Sequence, residues 1–383
     1  ARDYRNLSFL NSGTKGITSA INNITGTVTL GGSVVLDVLN NTMGGTGTNL
    51  TMTGTSVYRT AGSSQVKPDA AGTYNLGSTT TIEFNNNLVG LESIRLTGAS
   101  TVNYANIIVS GTSVGTASLT TGIRFQTGGS FRVKNGAIFK QINTAGFSGA
   151  SNTAISSTNS PTIILEPGST VDYNGSNQTI SNQTINTPAT AHYEHLILSG
   201  NGNKTAPSST LNINGNLSLT ETAMFVHNSG TVAMTGTSAQ NYTAVYPGIK
   251  FYNFSNNNTT DLSANSEMSL VKELAFAANS KLNIKNGGHI TLLSGNSGTA
   301  NVGIIPSNAS INYTGNGKFT VERHIASGVS HAKSWQFLAV PTNGGQTINQ
   351  AWQDTATSSN QSRYAGYGTQ LTSNIFPLPA TFD

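Results

Sequence analysis

The sequence VDYNG, from Val171 to Gly175, is followed by related stretches at nearly constant spacing. AHYEH begins at Ala191, LNING begins at Leu211, and TVAMTG places Val232 in the equivalent position. In each stretch two apolar or aromatic residues stand two positions apart, so both point to one face of a β-strand. A strand that returns every ~20 residues cannot bury that face alone, but stacked copies can. The spacing therefore predicts a β-solenoid.

Apolar pairs of this kind return along most of the chain. They are Leu7/Phe9, Val28/Leu30, Leu50/Met52, Tyr74/Leu76, Ile82/Phe84, Val102/Tyr104, Ile123/Phe125, Ile163/Leu165, Val171/Tyr173, Ala191/Tyr193, Leu211/Ile213, Val232/Met234, Tyr252/Phe254, Ile290/Leu292 and Ile311/Tyr313. The spacing is kept between most successive pairs but is lost around 135–160 and 262–285. We predict an all-β fold, a parallel β-helix with ~20-residue coils. Tandem antiparallel sandwiches stay open as an alternative, because two strands at a spacing of about 8–12 residues would give the same count.

A constant spacing also predicts which side chains share a column. The inward columns would be Tyr173/Tyr193/Ile213/Met234/Phe254 and Val171/Ala191/Leu211/Val232/Tyr252. The outward columns would be Asp172/His192/Asn212 and Asn174/Glu194/Asn214, in which amide side chains can bond to the copies above and below. A longer phrase, apolar–x–Tyr/Met–x–Gly, occurs at Val171–Gly175 and again at Val232–Gly236, which indicates duplication of a multi-coil unit.

The composition agrees with strands joined by tight turns and excludes several classes of protein. Of the 383 residues 9% are charged, 42 are Gly and none is Cys. The 19 basic residues form no cluster, so the sequence lacks the electrostatic footprint of nucleic-acid binding. The absence of Cys excludes disulfides and thiolate metal sites. No apolar run approaches the roughly 18 residues of a membrane span.

The regular spacing ends near Lys318, where the character of the sequence changes. Residues 318–383 hold both Trp residues and two of the six His residues. We predict that 1–317 form the solenoid repeats and that 318–383 are the start of a second, incomplete β-rich module.

Two parts of the chain resemble a known family. VDYNGSNQTI (171–180), YEHLILSGNGNKT (193–205) and LNINGNLSL (211–219) resemble repeats of large secreted surface proteins of Bacteroidota. Such proteins are exported by the type IX secretion system, and some are adhesins of gliding motility. VERHIASGVSHAKSWQFLAVPT (321–342), TINQAWQD (347–354) and GYGTQLT (366–372) resemble the module that commonly follows those repeats.

The resemblance implies export and an extracellular location on the bacterial outer-membrane surface. It also implies that the type IX translocon or the surface-attachment machinery is a partner. Family members normally end in a C-terminal sorting domain, and no such sequence is visible in these residues.

The densest group of titratable residues is Asp172, His192, Glu194 and His195. In the predicted columns Asp172 and His192 would lie one above the other, with Glu194 beside them. Carboxylates on such a face can act as bases in polysaccharide cleavage, and His with carboxylates can hold a metal. However, no Arg or Lys accompanies the group, and the third residue of each column is Asn. We interpret the group as a solvated polar face and assign no catalytic, metal-binding or cofactor-binding residue.

Two short motifs resemble enzyme signatures but are incomplete. GNGNKT (200–205) has Asn203 where a phosphate-binding loop needs its second Gly, so we interpret this stretch as a polar turn of the solenoid. GVSHA (328–332) has Ala332 where a nucleophile elbow needs its final Gly.

The sequence thus predicts a non-enzymatic, secreted cell-surface rod or adhesin, exported by the type IX system and acting in adhesion or display, with gliding motility as one such role. A glycan or another surface component is the expected ligand. Two alternatives share the solenoid: a glycan-binding or polysaccharide-cleaving β-helix protein, and a phage tailspike or autotransporter passenger.

Overall fold

The computed structural model describes residues 3–45, 47–62, 72–88, 90–94, 102–116, 118–182, 192–245 and 249–324. Ala191, the GVSHA motif and residues 325–383 lie outside the described ranges, so the second module stays a prediction. The chain divides into a unit of Ala1–Leu292 with Ala300–Thr320 and a unit of Leu293–Thr299 with Val321–Asp383.

The first unit is a β-solenoid of about 12 turns of parallel strands, which confirms the predicted fold class and excludes antiparallel sandwiches. Its strands are numbered in chain order and form five sheets. Sheet A contains, in spatial order, β1 (Leu7–Phe9), β3 (Thr27–Leu30), β5 (Asn49–Met52) and β7 (Tyr74–Leu76). Sheet B contains β14 (Thr162–Leu165), β12 (Arg124–Val133), β10 (Asn103–Val109), β8 (Thr81–Phe84), β6 (Val57–Thr60), β4 (Ser33–Asp37) and β2 (Ser12–Gly16).

The other three sheets continue the stack. Sheet C contains β32 (Ser310–Tyr313), β27 (Lys281–Ile284), β25 (Leu262–Ala264), β23 (Gln240–Ala244), β20 (Leu217–Leu219), β17 (His195–Leu198), β15 (Thr170–Tyr173), β13 (Ile138–Gln141), β11 (Val114–Gly115) and β9 (Glu92–Ser93). Sheet D contains β16 (Gln178–Thr179), β18 (Asn203–Thr205) and β21 (Met224–Val226). Sheet E contains β19 (Thr210–Ile213), β22 (Thr231–Met234), β24 (Lys250–Asn256), β26 (Glu267–Phe276), β28 (His289–Leu292) and β33 (Lys318–Val321), with β31 (Asn301–Val302) paired to β26.

One turn of the solenoid visits three sides. The chain passes from β17 in sheet C to β18 in sheet D and β19 in sheet E, and β20 returns it to sheet C. Strands β20 to β23 repeat this order. In the second unit β29 (Ser294–Gly295) and β30 (Gly298–Thr299) pair antiparallel, and the Ser294 N–H donates to the Glu322 carboxylate at 3.0 Å.

Inward side chains of successive coils form continuous buried columns. One column of sheet B consists of Leu36, Tyr58, Ile82, Ile107, Phe131 and Ile163, each aligned with the next and each almost completely buried. Full burial of each large apolar side chain contributes roughly 1.5–3 kcal/mol. Such columns are the main driving force for stacking, because each coil contacts only its neighbours.

The coils differ in length, and most are longer than the constant spacing predicted. One coil runs from Tyr193 to its aligned residue Ile213, as expected, but the coil that starts at Tyr173 reaches Leu198. A still longer coil runs from Phe131 to Ile163 and contains the stretch around 135–160 in which the sequence spacing was lost. There the chain folds back on itself, with the Ile155 N–H bonded to the Phe147 carbonyl at 2.7 Å.

The predicted inward columns are correct in part. Tyr193 aligns with Ile213 and Ile213 with Met234, as expected. Tyr173 does not continue this column, because it lies in sheet C and aligns with Leu198. The predicted partner of Phe254 is wrong by two residues, since Phe254 aligns with Val232 and not with Met234.

Tyr252 does not point inward as predicted. It lies where the pairing of β24 with β26 shifts register, between Phe251 and Asn253. Its ring stacks on the His227 ring with centroids 5.5 Å apart, and the Lys272 ammonium lies 5.5 Å from its centroid. The irregularity therefore turns an aromatic side chain to the outside of the coil.

Outward amide side chains bond from coil to coil, as the sequence suggested. Asn312 Nδ2 donates to Asn283 Oδ1 at 3.0 Å, and Asn283 Nδ2 donates to Asp261 Oδ1 at 2.9 Å. The described residues contain no helix, and hence none that is long and apolar enough to cross a membrane.

Candidate functional site

Asp172 lies on the outward side of β15 yet is only 5% exposed. Its neighbours in the adjacent coils are Lys140 in β13 and Ile197 in β17. The Ser199 hydroxyl donates to Asp172 Oδ1 at 2.5 Å, and Asn174 Nδ2 donates to Ser199 Oγ at 2.8 Å. A short chain of hydrogen bonds thus links a buried carboxyl to an amide at the end of the strand.

Burial raises the pKa of Asp172 to about 6, because a charged carboxylate is poorly solvated there. The hydrogen bond from Ser199 and the charge of Lys140 act in the opposite direction, whereas Glu221 raises the pKa further. A carboxyl with this pKa changes its charge at about pH 6.

His192 and Glu194 form a buried pair of their own. His192 Nε2 lies 3.0 Å from Glu194 Oε1, and the two side chains are 10% and 11% exposed. Burial alone would raise the pKa of Glu194, but the hydrogen bond and charge of His192, together with hydrogen bonds from Gly168 and Asn214, hold the pKa below its usual value. The Glu194 carbonyl also accepts the Gly215 N–H at 2.7 Å. The two side chains thus bond to each other within one coil, and the Glu194 backbone connects that coil to the next.

His195 also connects neighbouring coils. Its Nδ1 accepts the Asn216 backbone N–H at 2.8 Å. The predicted outward column is wrong at Asp172, which aligns with Ile197 and not with His192. The longer coil at this point shifts Asp172 into sheet C, away from the column that a constant spacing would give it. Within the described residues, no group of three or more His, Cys, Asp or Glu side chains is placed to hold a metal ion.

Lys204, the lysine of the GNGNKT motif, is fully buried. Its ammonium donates to the carbonyls of Gly175 at 2.5 Å and Ser176 at 2.9 Å, and to Gln178 Oε1 at 2.7 Å. Burial lowers the pKa of Lys204 to about 8, while Asp172 and, to a lesser extent, Glu221 act in the opposite direction. All three donors are used inside the fold, so this lysine has no means of reaching a phosphate.

Gln178, which accepts from Lys204, also bonds to the backbone at this corner of the coil, where the chain passes from sheet C to sheet D. Its Oε1 accepts the Gly175 N–H at 2.8 Å, and its Nε2 donates to the carbonyls of Gln141 at 3.0 Å and Asn143 at 3.2 Å. The side chain therefore satisfies backbone groups that stacking would otherwise leave buried and unpaired.

An equivalent corner follows Val232–Gly236, the second copy of the longer phrase apolar–x–Tyr/Met–x–Gly. Gln240 Oε1 accepts the Gly236 N–H at 3.1 Å, and its Nε2 donates to the Ile213 carbonyl at 2.9 Å. Asn258 Nδ2 takes the position of the ammonium and donates to Gln240 Oε1 at 2.7 Å. The two phrases form equivalent corners even though β15 lies in sheet C and β22 in sheet E.

A surface groove of about 410 Å³ follows the corner between sheets C and D. It crosses successive coils, with Asn174 and Gly175 from one, Gly200 and Asn201 from the next, and Glu221 from the one after. We call it the corner groove. Leu119, which is 52% exposed, forms an apolar part of its wall.

Sequence reasoning singled out Asp172 but did not predict that Ser199 and Asn174 link it by hydrogen bonds to a groove that Glu221 also lines. The phrase Tyr173-Asn-Gly placed Asn174 at a strand end, but nothing local indicates that Glu221 comes beside it. No known family model, curated protein or solved structure matches the chain.

Proposed function

We propose that this protein is a non-enzymatic, secreted cell-surface rod or adhesin that the type IX secretion system exports. It acts in adhesion or display, with gliding motility as one such role. The parallel solenoid supports this proposal, because similar stacking contacts let such a structure be lengthened without redesigning its core. The resemblance of 171–219 to repeats of exported Bacteroidota surface proteins supports the export route.

The observation that carries the proposal is how the outward polar groups of the described coils are used. Arg59 bonds to Glu83 at 2.8 Å and to Asp37 at 3.4 Å, and Lys134 reaches Glu83 at 3.2 Å. These pairs join successive coils, as do the amide ladders and the contacts of His195. Groups that an enzyme would aim at a substrate are used here to hold the stack together. This favours a structural and display role over catalysis.

Antibody labelling of intact cells, combined with cell fractionation, tests the export route. We expect antibody against this chain to label intact cells of the producing bacterium. In a strain that lacks the type IX translocon, we expect the label to disappear from the surface while the chain accumulates inside. Surface label that persists without the translocon would overturn the export route. Unchanged attachment of a strain lacking this protein would overturn the adhesive role.

The corner groove favours a second candidate, the glycan-binding β-helix protein. This groove holds amide and carboxyl groups beside the apolar side chains of Leu119 and Ile142, so it offers a sugar both hydrogen-bond partners and apolar contact. This candidate is compatible with surface display, since a displayed solenoid needs a ligand to adhere to.

A further inference from the structure

We infer that the corner groove binds a neutral oligosaccharide, laid along the stacking direction of the coils. This inference rests on the proposed adhesive role and supplies its ligand. The groove's volume of about 410 Å³ falls within the range of ~300–1,000 Å³ that is typical of small-ligand sites.

The first argument is the charge of the wall. Of the described residues that line the groove, Glu221 carries the one ionisable side chain, and neither Lys nor Arg is among them. A uronate, sulfate or phosphate ligand would meet a carboxylate with no compensating cation. Sugar hydroxyls instead donate to carboxylate and amide oxygens and accept from amide nitrogens. The apolar side chain of Leu119 is suited to the C–H face of a sugar ring.

The second argument is the orientation of Asn174. Its Nδ2 donates to Ser199 Oγ at 2.8 Å, and Ser199 is in turn held by Asp172 at 2.5 Å. The amide is therefore fixed before a ligand arrives, with Oδ1 left as its acceptor. Preorganisation of this kind lowers the entropic cost of binding.

The third argument is that this arrangement opposes stability. The outward positions aligned in the following coils are Ile197, Ser218 and Thr243, all uncharged, so those coils stack without a carboxyl. In the preceding coil the aligned residue is Lys140, whose charge only partly offsets the burial of Asp172. Burial nevertheless raises the pKa of Asp172 to about 6. Asp172 does not itself line the groove and acts on it through Ser199 and Asn174. Ionisable groups with perturbed pKa values beside a cleft are typical of functional sites.

The fourth argument is backbone strain at the rim. Glu221 has φ 55°, in the left-handed region, where other positive-φ residues of this corner are Gly200 and Gly202. A non-glycine residue there costs roughly 1–2 kcal/mol. A glycine would fit the turn better, so a glutamate at this position costs the fold stability.

Calorimetric titration of the purified chain with cellohexaose, mannohexaose and maltohexaose tests the inference, with hexagalacturonate as the charged comparator. We expect at least one neutral hexasaccharide to bind with a sub-millimolar dissociation constant and more tightly than hexagalacturonate. Asn174→Ala should weaken that binding at least about tenfold, the effect of losing one well-placed hydrogen bond.

Asn214→Ala is the matched control. Asn214 also lies between an inward residue and a glycine, and it contacts a hydroxyl of the next coil, Thr235 Oγ1, at 2.6 Å. It lies at a different corner, so its loss should leave binding unchanged. Glu221→Gly should raise the melting temperature while weakening binding about tenfold or more, a combination that a purely structural role would not produce.

Three results would overturn the inference: no binding of any neutral hexasaccharide, tighter binding of hexagalacturonate, or equal affinities of the Asn174→Ala and Asn214→Ala variants. The titrations use purified protein and the export test uses cells, so the two are independent. If no oligosaccharide binds in the groove, the proposed surface display is unaffected. Failure of the export test leaves the titrations valid.

Discussion

Tyr173, Tyr193 and Ser181 form a closed ring of hydrogen bonds in the interior where sheets C and E meet. Removing this ring by mutation tests the coil register. The Ser181 N–H donates to Tyr173 Oη at 3.0 Å, the two tyrosine hydroxyls lie 2.7 Å apart, and Tyr193 Oη donates to the Ser181 carbonyl at 2.9 Å. Tyr193 donates to Ser181, so Tyr173 must donate to Tyr193. Both tyrosines are fully buried.

Replacing either tyrosine by Phe removes a hydroxyl without creating a large cavity. Tyr193→Phe takes the donor from the Ser181 carbonyl and the acceptor from the Tyr173 hydroxyl. Each of these two buried polar groups left without its partner costs about 1–3 kcal/mol, so we expect a loss of about 2–6 kcal/mol in the free energy of unfolding. Tyr173→Phe removes the acceptor of the Ser181 N–H and should cost a similar amount.

The double variant carries the decisive information. The bond between the two hydroxyls can be lost only once, so the double variant should cost about 1–2 kcal/mol less than the sum of the singles. Urea unfolding followed by far-ultraviolet circular dichroism measures these values, provided that the m-value stays constant. Tyr242→Phe is the control, because its hydroxyl bonds separately to the Glu267 carbonyl at 2.9 Å. Its cost should add to that of Tyr193→Phe. Additive costs for Tyr173 and Tyr193, or costs below about 0.5 kcal/mol, would refute the ring.

Three further changes test the buried charges. Asp172→Asn should raise stability at pH 7 by about 1–3 kcal/mol, since a pKa raised from 3.8 to about 6 opposes ionisation of the native carboxyl. The folded pKa exceeds the unfolded one, so wild-type stability should fall as pH rises from 3.8 to about 6, and the variant should lose this slope in pH-dependent urea unfolding. Lys204→Met should cost about 2–4 kcal/mol in urea unfolding, because the Gly175 carbonyl and Gln178 Oε1, which its ammonium satisfies, stay buried. Arg59→Met should cost about 1–3 kcal/mol by the same measurement, because it leaves the Glu83 carboxylate buried with one cation fewer.

Exposed counterparts serve as controls for these variants. Arg132 is 39% exposed and pairs with Glu166, so Arg132→Met should cost less than about 1 kcal/mol. Lys272→Met should likewise be nearly neutral compared with Lys204→Met, since Lys272 is exposed. Equal costs for Arg59→Met and Arg132→Met, or for Lys204→Met and Lys272→Met, would show that burial does not determine the loss in free energy of unfolding. A pH slope that survives in Asp172→Asn would assign the titration to another group.

Local patterns in the sequence were enough for the inward and outward sides of most strands. The pairs Val28/Leu30 and Leu211/Ile213 are buried in the structure as the alternation predicts. The pattern failed at Tyr252, where a register shift within β24 turns the side chain outward. An irregularity of that kind depends on the neighbouring coil, so it leaves no signal in the alternation itself.

The candidate site was harder to predict than the fold, because it combines residues from several coils. Asp172 and His192 are separated by the spacing that the sequence repeats, which predicted one shared column. The coil that starts at Asp172 extends to Ile197, so the two residues lie in different columns. Lys204 gave the opposite error. It looked like an ordinary polar turn residue, yet its ammonium is the centre of a buried corner.

An all-β chain follows from the sequence alone, since alternation and turn chemistry are properties of a few consecutive residues. The repeat spacing favoured stacked coils over tandem sandwiches, and the structure established that the strands are parallel. The tertiary structure alone decided the three-sided path, the unequal lengths of the coils and therefore which side chains meet. Alternation determines the face that a residue occupies, whereas the length of each connection determines its partner. Both the Tyr173–Tyr193 ring and the corner groove depend on those connections, which is why only the folded chain reveals them.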